Sequence, residues 1–201
     1  RNVLFLFDSI TRFAEAHRET ALLAGETPAL NAFPPSTVRV IAELAERTGP
    51  GTDGKGDITA IYSVLVAGSD MEEPVADMIR GILDGHIILS REIAERGRYP
   101  AIDILRSVSR SLPHAATHDE NVLIRDARRM LALYEEVSPM LRANLYEPGK
   151  DAEADRAIGL FQALDGYAAR RSNAGISDAF AQLRAILSVE TQAAPVQAVP
   201  S

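Results

Sequence analysis

Residues Val3-Leu4-Phe5-Leu6-Phe7 form an unbroken apolar run that stops at Asp8. The run is too short for a buried helix and lacks polar alternation. It fits a strand covered on both faces, as in a parallel sheet flanked by helices. Such a strand commits its part of the chain to an α/β arrangement, provided that helical segments follow it. They do: Ser9 or Thr11 can cap a helix that runs to about Ala24 and stops at Gly25. A buried strand also needs neighbours, and this one starts two residues after Arg1. Arg1 is therefore expected to be a cut inside a larger domain.

The alternation continues. Thr27 to Ser36 reads as a loop, since Pro34-Pro35 cannot continue a helix. Val38, Ile41, Leu44 and Ala45 repeat at helical spacing and predict a helix over Thr37–Arg47. Gly49 to Gly56 is a turn-rich loop, and Asp57 to Val66 is β-branched enough for another buried strand. An acidic loop, Asp70-Met71-Glu72-Glu73, precedes a helix opened by Pro74 and ended by Gly81 or Gly85. His86–Leu89 is a third strand, and Arg91–Arg96 a helix stopped by Gly97. Tyr99 to Arg110 reads as a strand running into a polar loop, Ser107-Val108-Ser109-Arg110. Strands alternating with helices over about 110 residues imply an α/β sheet domain.

After Pro113 only helical spacing remains. Leu123, Ala127, Met130, Leu131, Tyr134, Val137 and Leu141 lie on one face, with Pro139 expected to kink or divide that helix. Asp151–Arg170 and Ser177–Val189 are two further amphipathic helices, and Thr191–Ser201 reads as a frayed tail. The predicted organisation is a sheet domain over 1–113, an all-α domain over 114–190 and a tail over 191–201.

Composition sets outer limits. With no cysteine there are no disulfides and no thiolate metal sites. A net charge of −7 disfavours broad nucleic-acid binding, which needs a cationic surface. No apolar run approaches the roughly 20 residues that span a bilayer, and the first residues do not read as a secretion signal. His17, His86, His114 and His118 show no metal-ligand spacing, and His86 reads as a satisfied core residue.

Chemistry in open α/β sheets sits at the carboxyl ends of strands, which singles out Asp8. On residue type alone Asp8 is either a ligand-orienting carboxylate or a helix N-cap. Arg12 is either a site residue or an exposed helix charge, and Arg110 either a site residue or a loop salt bridge.

Several blocks together resemble one family. Val3-Leu4-Phe5-Leu6-Phe7-Asp8-Ser9-Ile10-Thr11-Arg12-Phe13-Ala14 is similar to the Walker B strand and its sequel in the rotary ATP synthase and protein-export ATPase superfamily. Phe33-Pro34-Pro35-Ser36, Gly56-Asp57-Ile58-Thr59-Ala60-Ile61-Tyr62 and Ile82-Leu83-Asp84-Gly85-His86-Ile87-Ile88-Leu89-Ser90-Arg91 resemble its later blocks, in order. Tyr99-Pro100-Ala101-Ile102-Asp103 leading to Ser107-Val108-Ser109-Arg110 resembles the segment that carries its arginine finger. The wording Asp84-Gly85-His86-Ile87, with Gly149-Lys150-Asp151 and Asp155-Arg156-Ala157-Ile158, favours the flagellar and type III export branch, with a lean to the flagellar side.

The resemblance implies the C-terminal part of a RecA-like P-loop NTPase sheet domain followed by a helical domain. It implies ATP and Mg²⁺ as cofactors, with Asp8 holding the metal through water. Tyr99 would stack on adenine and Leu141 would give the opposite apolar wall. Arg12 would lie near the nucleotide or subunit edge, and Arg110 would act in trans on a neighbour's phosphates. Expected partners are further copies in a hexamer, stalk and regulator proteins, export substrates and their chaperones, and peripherally a membrane export gate. The expected location is the cytoplasm, against the inner-membrane export apparatus. The acidic loop faces the central channel in relatives. No Gly-x-x-x-x-Gly-Lys-Ser/Thr occurs in the 201 residues, so this chain alone is expected to be inactive. Two alternatives stand beside this one: a rotary ATP synthase subunit, and a non-catalytic export adaptor.

Overall fold

The computed structural model describes residues 1–28, 33–69 and 73–189. Three features expected from the sequence lie wholly or partly outside them: residues 29–32 of the proline-rich loop, Asp70 to Glu72 of the acidic loop, and the tail beyond 189. The chain divides into two compact units, Arg1–Asp84 and Gly85–Ser201.

In the first unit, β1 (Val3–Phe7) and β2 (Ile58–Tyr62) pair in parallel, from Val3 opposite Ile58 to Phe7 opposite Tyr62. The crossover holds α1 (Ile10–Leu23) and α2 (Pro35–Glu46). Helix α1 starts where the Ser9 hydroxyl accepts the Arg12 amide, and the chain leaves it through Gly25 at φ +89°, a conformation that favours glycine. Helix α2 begins earlier than Thr37, because Pro35 occupies the first turn, where a missing N–H costs nothing. Pro74 opens α3 (Pro74–Ile82) in the same way.

The three helices pack on one face of the strand pair. Ile10, Ala14, Ile41, Val75 and Ile79 form the core, with Phe7, Phe13 and Tyr62 against it. The expectation that β1 is covered on both faces fails. Side chains alternate along a strand, so Phe5 and Phe7 turn toward the helices while Leu4 and Leu6 turn away. On that far face Leu4 is 61% exposed, Leu6 66% and Ile61 58%.

The second unit opens with β3 (Gly85–Leu89), α4 (Arg91–Glu95) and β4 (Ile102–Ser109), and its two strands run antiparallel. Ser107 to Ser109, expected in a loop, belong to β4. Then follow α5 (His118–Arg142), α6 (Ala152–Ala169) and α7 (Ile176–Leu187). Leu123, Met130, Ala157, Leu160, Leu164, Leu183 and Leu187 make their shared core, and Tyr134 stacks on Phe161. Pro139 neither divides nor ends α5, which runs unbroken to Arg142. One forfeited amide bond is outweighed by a face anchored through buried Met130 and Val137.

The passage from β4 into α5 is held by side chains. Thr117 and Glu120 form a capping box. The Asn121 amide nitrogen donates to the carbonyls of Pro113 (2.8 Å), Ala116 (3.0 Å) and Thr117 (2.9 Å).

Candidate functional site

Asp8 stands exposed at the carboxyl end of β1. The N-cap of α1 is Ser9, so the Asp8 carboxylate is not spent on the helix end. It accepts instead from the hydroxyl of Ser63, just past β2, whose amide donates to the Phe7 carbonyl at 3.0 Å. Thr11 binds the same segment twice: its hydroxyl donates to the Leu65 carbonyl (3.3 Å) and accepts from the Leu65 amide (2.9 Å). Ser63 and Thr11 together fix the loop beside Asp8. Sequence reasoning missed Ser63, since its partner lies 55 residues away. Arg12 points to solvent, 76% exposed, with a contact to Glu15 at 3.5 Å along its own helix. Among the described residues no group of three His, Cys, Asp or Glu could hold a metal. A lone strand-end carboxylate still suits Mg²⁺, which retains several waters and takes few protein ligands.

In the second unit Tyr99 lies just before β4, 65% exposed, with its ring available to a flat partner. Arg110 is exposed in the turn immediately after β4. Leu141, in the last turn of α5, is half-buried. Tyr99 and Arg110 thus flank one strand. Its partner β3 is five residues long, so the two ends of β4 lie roughly 14 Å apart.

Between these ends β4 bulges. His86 opposes Val108 and Ile88 opposes Asp103, so Ile104 to Ser107 stand opposite Ile87 alone. Side chains replace the broken ladder. The Ser107 hydroxyl donates to the Asp103 carbonyl (2.5 Å) and accepts from the Ile88 amide (3.0 Å). The Asp103 carboxylate accepts from the Arg106 amide at 3.0 Å. His86, expected in the core, is only half-buried, and its Nε2 meets the Arg106 carbonyl at 3.2 Å. Gly85 is explained by a close approach: a Cβ there would meet the Val108 carbonyl oxygen at 2.5 Å.

A cavity of about 40 Å³ lies nearby, lined by Arg96, Arg98, Asp103, Glu135 and Asp165 among others. Burial, then the charge of Asp103, pushes the Glu135 carboxyl above its ordinary value, with Arg96 and Arg106 opposing. Among the described residues no helix is long and apolar enough to cross a membrane.

Comparison with known proteins gives two family matches that part between residues 109 and 116, beyond the Asp84–Gly85 division of the compact units. Residues 1–109 match the ATP synthase alpha/beta family, nucleotide-binding domain, and residues 116–187 match the type III secretion EscN ATPase C-terminal domain. The SPI-2 type 3 secretion system ATPase of Salmonella typhimurium is 49% identical over 161 residues, covering 80% of this chain and 37% of that protein. The flagellum-specific ATP synthase of Caulobacter vibrioides is 41% identical over 197 residues, covering 94% of this chain and 44% of its own length. The assembled ATPase EscN of the enteropathogenic E. coli type III secretion system superposes with a TM-score of 0.86 at 35% identity, over 92% of this chain and 45% of that one. The same ATPase in complex with its central stalk EscO gives 0.78 at 36% identity, over 92% and 44%. The chain therefore spans less than half the length of these relatives.

Proposed function

Because the chain belongs to the ATP synthase alpha/beta family, in its type III secretion and flagellar export ATPase branch, we propose that its parent is an ATP-hydrolysing export motor. The sheet domain over 1–113 contributes part of a nucleotide site, and the helical domain over 114–190 receives export substrates and their chaperones. The remaining length of the parent supplies the phosphate-binding loop and covers the exposed Leu4, Leu6 and Ile61 face. The parent works as a homohexamer around a stalk, in the cytoplasm against a membrane export apparatus, and we retain the flagellar system as its setting. The helical match over 116–187 favours this export reading over a rotary ATP synthase subunit.

Each residue has a physical task. Asp8, fixed by Ser63, would hold Mg²⁺ through water, and the ion when bound neutralises charge on the phosphates. The Tyr99 ring would stack on adenine, which needs only an open aromatic face, and Leu141 would offer the opposite wall. Arg12 would lie at the nucleotide or subunit edge. Arg110 would place its guanidinium against charge that builds on the transferring phosphoryl group.

The observation that carries the ring reading is the position of Tyr99 and Arg110 at opposite ends of one strand. Side chains so separated are suited to two nucleotides: Tyr99 to that of its own subunit, Arg110 to that of a neighbour.

The test uses the full-length parent. Arg110→Ala should remove most turnover and spare ATP affinity, because its contact forms in the transition state. Tyr99→Ala should weaken ATP binding by about 1–3 kcal/mol. Mixing Arg110→Ala subunits with Asp8→Asn subunits should restore turnover, since some interfaces then pair an intact Asp8 with an intact Arg110. No recovery on mixing, with equal loss of affinity and turnover in Arg110→Ala, would refute action in trans.

A further inference from the structure

The bulge in β4 leaves carbonyl groups that no strand satisfies, and one side chain from the helical bundle takes them. Arg128 of α5 donates through Nη1 to the Ile104 carbonyl at 2.6 Å and to the Ser107 carbonyl at 3.3 Å. Its Nη2 donates to the Leu105 carbonyl at 2.9 Å. Three carbonyls within four consecutive residues thus converge on one half-buried guanidinium. Arginine suits this task because its donors form a rigid planar fork, whereas a lysine ammonium is a single point.

The gripped residues end three positions before Arg110. From Ser107 the chain passes through Val108 and Ser109, still paired to His86 and Gly85, and then releases Arg110 into its turn. Close packing at Gly85 leaves that last stretch little room to shift. The path of the backbone into Arg110 is consequently set from two sides, by β3 and by Arg128.

We propose that Arg128 is a positioning residue for the proposed reaction: by holding the β4 bulge it sets the reach of Arg110 toward the neighbouring phosphates. The inference rests on the arginine-finger reading of Arg110 and adds to it a lever from the helical bundle. Transition-state stabilisation by a guanidinium depends steeply on placement, and a misplacement of about 1 Å costs on the order of 100-fold in rate. Arg128 touches no nucleotide in this scheme and should not contribute to ATP binding.

The experiment compares Arg128→Gln and Arg128→Lys in the full-length parent, each with Arg110 intact and with Arg110→Ala. It reads kcat, the ATP dissociation constant and hexamer assembly by size. Arg128→Gln should lower kcat roughly 10- to 100-fold and change the dissociation constant by less than about twofold. Arg128→Lys should fall between Arg128→Gln and the unaltered protein. In the Arg110→Ala background neither change should lower the residual rate further, because both residues act through one contact. The proposal is overturned if Arg128→Gln leaves kcat unchanged, or if it lowers the rate by the same factor with and without Arg110. It is equally overturned if assembly, affinity and kcat fall together in both variants, since that marks a purely structural role. Full turnover in Arg110→Ala alone would remove the finger assignment itself, a distinct result.

Discussion

Arg98 offers a quantitative test of how the second unit holds the loop that carries Tyr99. Its side chain is 9% exposed, and its Nε lies 2.8 Å from Asp165 of α6, at an angle too oblique for a linear hydrogen bond. Its two terminal nitrogens donate to the Pro100 carbonyl (3.0 Å) and the Ile102 carbonyl (2.8 Å). A half-buried charge-assisted bond such as that to Ile102 contributes about 1.5–2 kcal/mol, and the more exposed one to Pro100 about 1 kcal/mol. Asp165 is 32% exposed, so solvent screening limits the ion pair to about 1 kcal/mol. Arg98→Ala should then cost about 3–4 kcal/mol. Asp165→Ala should cost about 2 kcal/mol, because Arg98 keeps both carbonyls but remains buried with less compensation. A double-mutant cycle should return a coupling of about 2 kcal/mol, because the Asp165 change acts through Arg98 and costs little once Arg98 is gone. The assay is urea unfolding followed by circular dichroism at 222 nm, which α5, α6 and α7 dominate. An Arg98→Ala cost below about 1 kcal/mol, or an Asp165→Ala cost equal to it, would refute the assignment of most of the energy to the carbonyl bonds.

Two further outcomes concern pH. The Tyr146 hydroxyl donates to Asp155 at 2.8 Å, and burial with that carboxylate raises its pKa from 10.0 to about 12. The unfolded phenol ionises first, so the stability it contributes is complete below pH 10 and is lost as the pH rises toward about 12. Tyr146→Phe should remove this alkaline sensitivity from the melting curve, and identical pH dependence in both proteins would contradict it. Glu135 is raised from 4.5, so its favourable contribution belongs to the protonated form and is gone at neutral pH. Glu135→Gln should therefore raise the melting temperature at pH 7, with the gain vanishing below its ordinary value; a gain that persists at acid pH would exclude charge as the cause.

Local chemistry made much of this fold legible in the sequence. Ser9 and Gly25 bound α1, Ser90 and Gly97 bound α4, and Asp151 caps α6, each by a rule that involves only neighbouring residues. The sequence was less informative where distant contacts decide. The apolar run of β1 could not reveal that Leu4 and Leu6 lack cover in this chain. Ser107 to Ser109 looked like loop residues, yet they belong to β4, and the Ser107 hydroxyl bonds on both sides of its bulge. A packed face carries the helix undivided through Pro139, expected to kink or divide it. Of the candidate site, the end of an apolar run singled out Asp8, whereas the roles expected of Tyr99 and Arg110 came only through family resemblance. Ser63 and Arg128 were not legible, because each acts on backbone or side chains far away in sequence.

Between Arg110 and His118 the sequence suggests a pliant joint, with a proline and several small or polar residues. Asn121 ties down three carbonyls of that stretch, and the Thr117–Glu120 pair closes its far end. The segment is therefore an elbow set in one angle. Tension applied to the helices would arrive at the strand as displacement, with little slack in which to dissipate.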